Sequence, residues 1–354
     1  MIRKTKVLIV DDSVSVQNVL QQILSSDPEI EITGVASDPY EAVTKIAAEL
    51  PDVITLDIEM PRMDGLTFLS KLMKQHPIPV VVITSVADET SEKGLKALKL
   101  GAREIITKPK LASSELIEEY SIRIIDAIKA TALSSRLRGN FRKTRRTEAL
   151  HANPDYSTFV VPGPETVSED IILIGASTGG TEVISKILKE LRTDLPGILI
   201  AQHMPGEFTS AFARRLNSES RLKVKEAENG DVIKKGCVYV ANGFNHLHLI
   251  RENNSFKCKL EQGELVNRHR PSVDVLFNSA AQFPGANITA CLLTGMGTDG
   301  ARGLLCLRNI GAQTFAQDEK TSVVFGMPKE AIRLNAAQRI GSPDDLINLI
   351  NTRY

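Results

Sequence analysis

The segment Val7-Leu-Ile-Val-Asp-Asp12 is a short apolar run that ends in two aspartates. Four similar runs follow, separated by stretches of helical length, at Ile32–Ala36, Val53–Leu56, Val80–Ile83 and Glu104–Thr107. Short apolar strands that alternate with helices are typical of a parallel sheet covered on both faces. The sequence therefore predicts a five-stranded α/β domain over residues 1–130.

The same alternation resumes after a gap and predicts a second, doubly wound α/β domain over residues 170–354. Its expected strands are Ile171–Ile174, Gly197–Ala201, Val238–Ala241, His246–Ile250 and Ile288–Leu293. Two domains also suit a chain of 354 residues, because a single core usually stops growing at about 250–300 residues.

Between the two domains, residues 131–169 lose the hydrophobic periodicity. This segment contains the basic stretch Arg136–Arg146 and the Pro- and Gly-containing stretch Pro154–Pro164. We interpret it as a basic, flexible linker, since such composition favours a solvated, mobile chain.

Overall composition excludes several function classes. Lys plus Arg and Asp plus Glu each total 43, so no net charge attracts the chain to nucleic acid or to an acidic membrane surface. No helix-turn-helix pattern is present, which argues against a DNA-binding output. No run of about 18 apolar residues is available to span a bilayer. The four cysteines form no C-x-x-C pair, so we expect reduced thiols in a cytoplasmic protein without membrane insertion or nucleic-acid partners.

Polar residues in the first domain fall where successive strands end: Asp11 and Asp12, Asp57, Thr84 and Lys108. The functional crevice of an open parallel sheet lies at this edge. Three converging carboxylates stay ionised only beside a cation, and oxygen ligands of this kind suit Mg²⁺. We therefore predict a phosphoryl-accepting pocket in which Asp57 is the nucleophile, with Lys108 and Thr84 contacting the phosphoryl oxygens.

In the second domain, Ile171-Ile-Leu-Ile-Gly-Ala-Ser-Thr-Gly-Gly180 runs from an apolar strand into a glycine-rich turn. The turn places Ser177 beside backbone N–H groups at a helix N-terminus, where negative charge is stabilised. The G-x-S-x-G spacing is weak evidence alone. Taken by itself, the segment leaves a phosphate loop, a nucleophile loop and a plain turn equally open.

Two further strand ends favour the nucleophile. His203 follows the second strand of this domain, and Asp299 lies in a glycine-rich loop after Ile288–Leu293. Ser177, His203 and Asp299 are thus expected at one sheet edge, as nucleophile, general base and orienting carboxylate. Backbone N–H groups near Thr178 and within Gly295–Gly297 are candidates for an oxyanion hole.

The five other histidines are weaker candidates, and two of them, His76 and His151, lie in loops or the linker. His246 and His248 alternate along a predicted strand, which favours structural roles. For His269, a surface-loop role is favoured over contact with a substrate.

The motifs of the first domain resemble those of two-component receiver domains, which have a flavodoxin-like fold. The resemblance covers residues 5–128 and rests on Val7–Asp12, Asp57–Gly65 and Lys108-Pro109. It implies that Asp57 is the phosphoacceptor, that Asp11 and Asp12 with the Glu59 carbonyl help to hold Mg²⁺, and that a histidine kinase donates the phosphoryl group. The chain departs from the pattern at Ile105, where many receivers carry an aromatic switch residue.

The second domain resembles the catalytic domain of the CheB family over residues 171–335. The segments that carry the resemblance are Gly175–Gly180, Gln202–Pro205, Arg270–Phe277, Thr294–Gly300, Ala316–Glu319 and Gly326–Pro328. The family's nucleophile, base and acid then correspond to Ser177, His203 and Asp299, with Met296 on the oxyanion side. No cofactor is implied for the hydrolysis.

The activity implied by this resemblance is hydrolysis of γ-glutamyl methyl esters on the cytoplasmic helices of chemoreceptors, with release of methanol, and deamidation of receptor glutamines. The unphosphorylated receiver is expected to pack over the catalytic cleft. An alternative is a response regulator whose second domain acts only through protein contacts.

Overall fold

A computed structural model describes residues 4–85, 88–108, 120–121, 123–132 and 166–354. The predicted linker lies outside these residues except at its two ends. The fold of each predicted α/β domain is present within the described ranges.

The N-terminal domain is a five-stranded parallel sheet with the order β2-β1-β3-β4-β5 and helices on both faces, as predicted. Its elements are β1 Thr5–Val10, α1 Val14–Ser25, β2 Ile30–Ala36, α2 Pro39–Ala48, β3 Val53–Leu56, α3 Gly65–Gln75, β4 Val80–Thr84, α4 Asp88–Lys99, β5 Glu104–Thr107, and a helix α5 described over 123–132. Asp38 and Asp64 cap α2 and α3, because each side chain accepts a hydrogen bond from the first turn.

The C-terminal domain is built on a seven-stranded parallel sheet with the order β14-β13-β12-β6-β7-β9-β8. Its elements are β6 Ile171–Ala176, α6 Gly180–Glu190, β7 Gly197–Gln202, α7 Gly206–Glu219, β8 Lys223–Glu226, β9 Cys237–Val240, β10 His246–Glu252, β11 Ser255–Glu261, α8 Val273–Ala280, β12 Ile288–Leu292, α9 Ala301–Asn309, β13 Gln313–Gln317, α10 Met327–Arg333, β14 Arg339–Gly341 and α11 Pro343–Arg353. Four of the five predicted strands lie in this sheet. The fifth, His246–Ile250, lies in a separate antiparallel hairpin formed by β10 and β11.

The carboxyl ends of β12, β6 and β7 are adjacent at the centre of the larger sheet. Every residue of these three strands is buried, since helices cover both faces of the sheet. β6 pairs in parallel with β7 on one side and with β12 on the other. The loops that follow the three strands therefore meet at one edge.

The two domains contact each other through α4 and α7. Phe208 on α7 approaches the backbone of α4 so closely that a Cβ atom at Gly94 would lie 2.8 Å from its ring. Beside this apolar contact, Lys99 Nζ lies 2.5 Å from Glu219 Oε1. One cluster of buried apolar side chains continues across the contact, with Leu95 and Ile105 on one side and Phe208 and Phe212 on the other.

Candidate active site and phosphorylation site

Ser177 lies in the three-residue turn between β6 and α6. Gly179 in this turn has a φ of 80°, and a Cβ there would lie 2.4 Å from Val323, so only glycine fits. The Ser177 N–H donates to the Thr294 carbonyl at 3.0 Å, and the Gly180 N–H donates to the Ser177 carbonyl at 2.7 Å. The local sequence thus fixes the serine at the sheet edge.

His203 follows β7 directly and is tied to the same turn. Its N–H donates to the Ala176 carbonyl at 3.0 Å. The buried side-chain amide of Gln202 donates to the carbonyls of Ser177 and His203, at 2.9 and 3.1 Å. Gln202 therefore joins the two loops that carry the predicted nucleophile and base.

Asp299 is buried at the N-terminus of α8. Its Oδ1 accepts hydrogen bonds from Asn267 Nδ2 and Ser272 Oγ, both at 2.7 Å, and from the Asp274 N–H at 3.2 Å. Its Oδ2 accepts from the Val273 N–H at 2.6 Å and lies 2.8 Å from His203 Nε2.

The ionisation of Asp299 follows from these contacts. Burial disfavours the charged carboxylate, but the contact with His203, followed by the hydrogen bonds from Asn267 and Ser272, outweighs burial and holds the pKa of Asp299 well below its usual value. The residue is therefore an anion at neutral pH.

The contact with Asp299 leaves the other ring nitrogen of His203 as the one available for a nucleophile. Among the residues that the structure describes, His203 Nδ1 has no hydrogen-bond partner although it is buried. Ser177 and His203 line the same cavity of about 320 Å³. In the described ranges no hydrogen bond joins Ser177 Oγ to His203, so the structure pairs the predicted base with its carboxylate but not with the serine.

The predicted oxyanion-side residues border the same cavity. Met296 follows Gly295, and Gly295 packs so tightly on the serine turn that a Cβ would lie 2.7 Å from Ser177 Cβ. Thr178 has its side chain engaged: its hydroxyl is 2.6 Å from Glu104 Oε2 in the N-terminal domain. Its backbone N–H lies beside the serine, in the turn that precedes α6.

Two residues at this site were not identified as site residues from the sequence. Asn267 donates to Asp299, and the His269 ring stacks on His203 with centroids 3.7 Å apart and planes 14° apart. Burial, then the nearby His203, lowers the pKa of His269 well below its usual value. The structure therefore contradicts a purely surface role for His269.

The side chains of Asn267 and His269 are positioned at the site by a tight turn. Val266 and His269 exchange backbone hydrogen bonds, and the two residues between them, Asn267 and Arg268, have φ values of 53° and 68°. Asparagine tolerates this left-handed region better than most residues. The Asn267-Arg268 pair was the available signal, but it is a weaker turn signature than Asn-Gly.

The acidic residues of the N-terminal domain converge as predicted. One carboxylate oxygen from each of Asp11, Asp12 and Asp57 lies within 4.8 Å of the others. Lys108 Nζ lies 2.9 Å from Asp11 Oδ2 and 2.6 Å from Asp57 Oδ2. Burial raises the pKa of Asp57 to about 6, and Lys108 only partly offsets that effect.

The rest of this pocket offers a hydrogen-bond donor that can still bind a phosphoryl oxygen. Within the described ranges the buried Thr84 hydroxyl has no hydrogen-bond partner. The Glu59 N–H lies 3.3 Å from Asp57 Oδ1, while its side chain turns away to contact Ser85. Carboxylates held together in this way, beside an unpaired hydroxyl, fit a divalent cation and a phosphoryl group.

Comparison with known proteins matches each of the two domains to a protein family. The CheB methylesterase family matches residues 172–350, and the response regulator receiver domain family matches residues 7–121. A relative from Rhodopseudomonas palustris, named protein-glutamate methylesterase/protein-glutamine glutaminase of group 3 operon, is 49% identical over 96% of this chain and 93% of the relative. One from Anaeromyxobacter dehalogenans, named protein-glutamate methylesterase/protein-glutamine glutaminase 5, is 48% identical over 98% and 97%.

A solved structure agrees with the fold of the C-terminal domain. The CheB methylesterase catalytic domain of Thermotoga maritima is 40% identical, covers 52% of this chain and 100% of its own, and superposes with a TM-score of 0.50. Among the helices within the described residues, none combines the length and apolarity needed to cross a membrane.

Proposed function

The chain belongs to the CheB methylesterase family and carries a response regulator receiver domain, and on this basis we propose that it is a phosphorylation-controlled serine esterase. Its substrates are γ-methyl esters of glutamate side chains, as the names of its relatives indicate. The substrate protein is the cytoplasmic helical region of a chemoreceptor, and the enzyme acts in the cytoplasm. The observation that best supports the proposal is the buried contact of His203 with Asp299 beside Ser177.

In the proposed reaction the Ser177 hydroxyl attacks the ester carbonyl while His203 Nδ1 accepts its proton. Asp299 holds His203 through Nε2 and stabilises the imidazolium that forms. Backbone N–H groups at Thr178 and Met296 stabilise the negative oxygen of the tetrahedral intermediate. His203 then returns the proton to the leaving methoxide, and methanol departs.

Water completes the reaction. His203 removes a proton from a water molecule, which attacks the glutamyl ester on Ser177. His203 then returns this proton to Ser177 Oγ as the ester bond breaks and the glutamate side chain is released. The same steps applied to a glutamine side chain release ammonia, which accounts for the glutaminase activity that we also propose. The hydrolysis itself uses only side chains and backbone groups of the C-terminal domain.

Regulation is proposed to begin at Asp57. Asp11, Asp12 and Asp57, with the Glu59 carbonyl, would hold Mg²⁺, which neutralises charge during phosphoryl transfer. Asp57 accepts the phosphoryl group from a histidine kinase, and Lys108 and Thr84 contact its oxygens. The phosphorylated domain then favours an arrangement in which the cleft is open.

The test is methanol release from a helical peptide that carries a γ-methyl glutamate, measured with and without Mg²⁺ and a small-molecule phosphodonor. We expect phosphorylation to raise the rate by about 5- to 150-fold, which corresponds to a coupling of about 1–3 kcal/mol. The control Ser177→Ala removes one hydroxyl and should abolish turnover while the thermal melt stays close to that of the wild type. Turnover by Ser177→Ala above a few per cent of the wild-type rate would contradict the proposal.

A further inference from the structure

Glu104 of the receiver domain extends into the active site of the other domain. It is the first residue of β5, and its Oε2 lies 2.6 Å from the hydroxyl of Thr178, next to Ser177. Glu104, Ser177 and His203 line the same cavity. The contact is therefore made at the reacting end of the cleft, and not merely at its rim.

The other contacts of Glu104 do not explain why a carboxylate lies there. Of the ion pairs between described residues, none includes Glu104 within 4 Å. Burial raises the pKa of Glu104, and the Thr178 hydrogen bond is the main opposing influence, followed by Arg123 and His203. Thr178 is thus the group that receives this carboxylate.

The Glu104 side chain has the same chemical structure as the product of the proposed reaction. Hydrolysis of a γ-methyl glutamate leaves a glutamate side chain on the surface of a protein, and Glu104 is such a side chain presented by another domain. One hydroxyl cannot donate its single proton to two carboxylates at once. Glu104 and the reaction product would therefore compete for Thr178.

We propose that the Thr178 hydroxyl forms a carboxyl-binding subsite, which takes the γ-carboxyl of the glutamate product and which Glu104 fills as a built-in product mimic. This inference rests on the proposed esterase function. It adds one specific contact, at the catalytic end of the cleft, to the packing between α4 and α7 that also holds the two domains together.

The position of Glu104 also connects it with the phosphoacceptor. Strand β5 is four residues long, which corresponds to about 13 Å. Glu104 begins it, and Lys108, whose Nζ lies 2.6 Å from Asp57, follows its last residue. A displacement of Lys108 towards a phosphoryl group on Asp57 therefore acts on the strand that carries Glu104.

The experiment compares unphosphorylated full-length wild type, Glu104→Ala and Glu104→Gln in the methanol-release assay. We expect Glu104→Ala to be about tenfold faster than the wild type, since one charge-assisted hydrogen bond is lost. Glu104→Gln retains an acceptor of the same shape and should stay within about threefold of the wild type. Equal rates for Glu104→Ala and the wild type would overturn the inference, as would equal acceleration by both variants.

Chemical complementation provides an independent readout. Sodium propionate, compared with sodium chloride at equal ionic strength, should slow Glu104→Ala back towards the wild-type rate and leave Glu104→Gln unaffected. Adding Thr178→Val to Glu104→Ala should remove the sensitivity to propionate, because valine has the same shape without the hydroxyl. Equal inhibition of all these variants by propionate would place its binding elsewhere and overturn the subsite.

These outcomes are separable from a failure of the proposed function. If no version of the chain releases methanol, even when phosphorylated, the esterase proposal fails. If methanol is released but neither the Glu104 substitutions nor propionate changes the rate, only the subsite fails.

Discussion

Replacing Asp299 by asparagine tests the chemistry of the site most directly, because all five of its hydrogen-bonding contacts can be followed. An amide has one acceptor oxygen where the carboxylate has two. If that oxygen takes the place of Oδ1 and keeps three donors, the new NH₂ group faces the Val273 N–H and His203 Nε2. His203 must then present an unprotonated Nε2 to the amide.

A neutral imidazole with unprotonated Nε2 carries its proton on Nδ1. That is the nitrogen which must accept the proton of Ser177, so the variant holds the wrong tautomer. The corresponding change in a serine protease triad lowers kcat by about 10⁴-fold, and we expect a loss of that order. The unpaired Val273 N–H should also destabilise the fold by about 1–3 kcal/mol.

The matched control is Asp274→Asn, on the neighbouring carboxylate. Asp274 accepts hydrogen bonds from the Gly303 N–H and Asn267 Nδ2, both at 2.7 Å, and has no hydrogen bond with His203 among the described contacts. Its pKa is raised, chiefly by burial, whereas that of Asp299 is lowered, so removing the charge costs less at Asp274. We expect turnover within about tenfold of the wild type, because the His203 tautomer is unchanged.

Initial rates of methanol release, with circular dichroism and thermal melts of each variant, separate lost chemistry from lost fold. A folded Asp299→Asn variant that retains more than about one hundredth of wild-type turnover would refute the assignment, since the tautomer argument requires a far larger loss. Equal losses in both variants would show that disruption of the loop, and not the tautomer, limits the rate.

Three further predictions follow from the same geometry. His269→Ala should slow turnover by about two- to tenfold through loss of the ring stacked on His203, whereas His269→Phe, which keeps a flat ring, should lose less; the opposite order in kcat would contradict a positioning role. The separate segment 169–354 contains Ser177, His203 and Asp299, so it should release methanol without phosphorylation and faster than the unphosphorylated full chain; a folded but inactive segment would mean that the receiver supplies part of the site. Burial raises the pKa of Asp57 from 3.8 to about 6, so the contribution of its neutral form to stability is present below pH 3.8 and is lost as the pH rises through about 6. In EDTA, the stability of Asp57→Asn in thermal unfolding should therefore equal that of the wild type at pH 3.5 and exceed it by up to about 3 kcal/mol at pH 7. An equal difference in stability at both pH values would rule out this cause.

The central strands were predictable because their positions in the fold require one kind of sequence. β6, β7 and β12 are buried on both faces, so each is a continuous apolar run bounded by turn residues. Peripheral strands lack that requirement: β13 begins and ends with glutamine, and β14 has three residues. The hairpin strand at Ser255–Glu261 alternates lysine with apolar residues and was also missed.

The candidate site was predictable to the extent that it lies at strand ends. Ser177, His203 and Asp299 each follow a strand of the predicted sheet, so their meeting could be expected from topology alone. His269 required the geometry of a turn with two left-handed residues. Glu104 required knowledge of which face of the receiver meets the other domain, and no pattern within its own strand carries that information.

The apolar cluster that continues from the receiver through Gly94 and Phe208 into the C-terminal domain makes the switch sensitive to temperature. Separating α4 from α7 exposes apolar surface to water, and the hydrophobic contribution that opposes this exposure becomes weaker on cooling. The desolvation penalty of the Lys99–Glu219 ion pair beside it also grows on cooling, so this pair weakens in the same direction. We therefore expect the closed arrangement of the two domains to become less stable in the cold. The ratio of unphosphorylated to phosphorylated esterase activity should then be higher at low temperature than at high temperature.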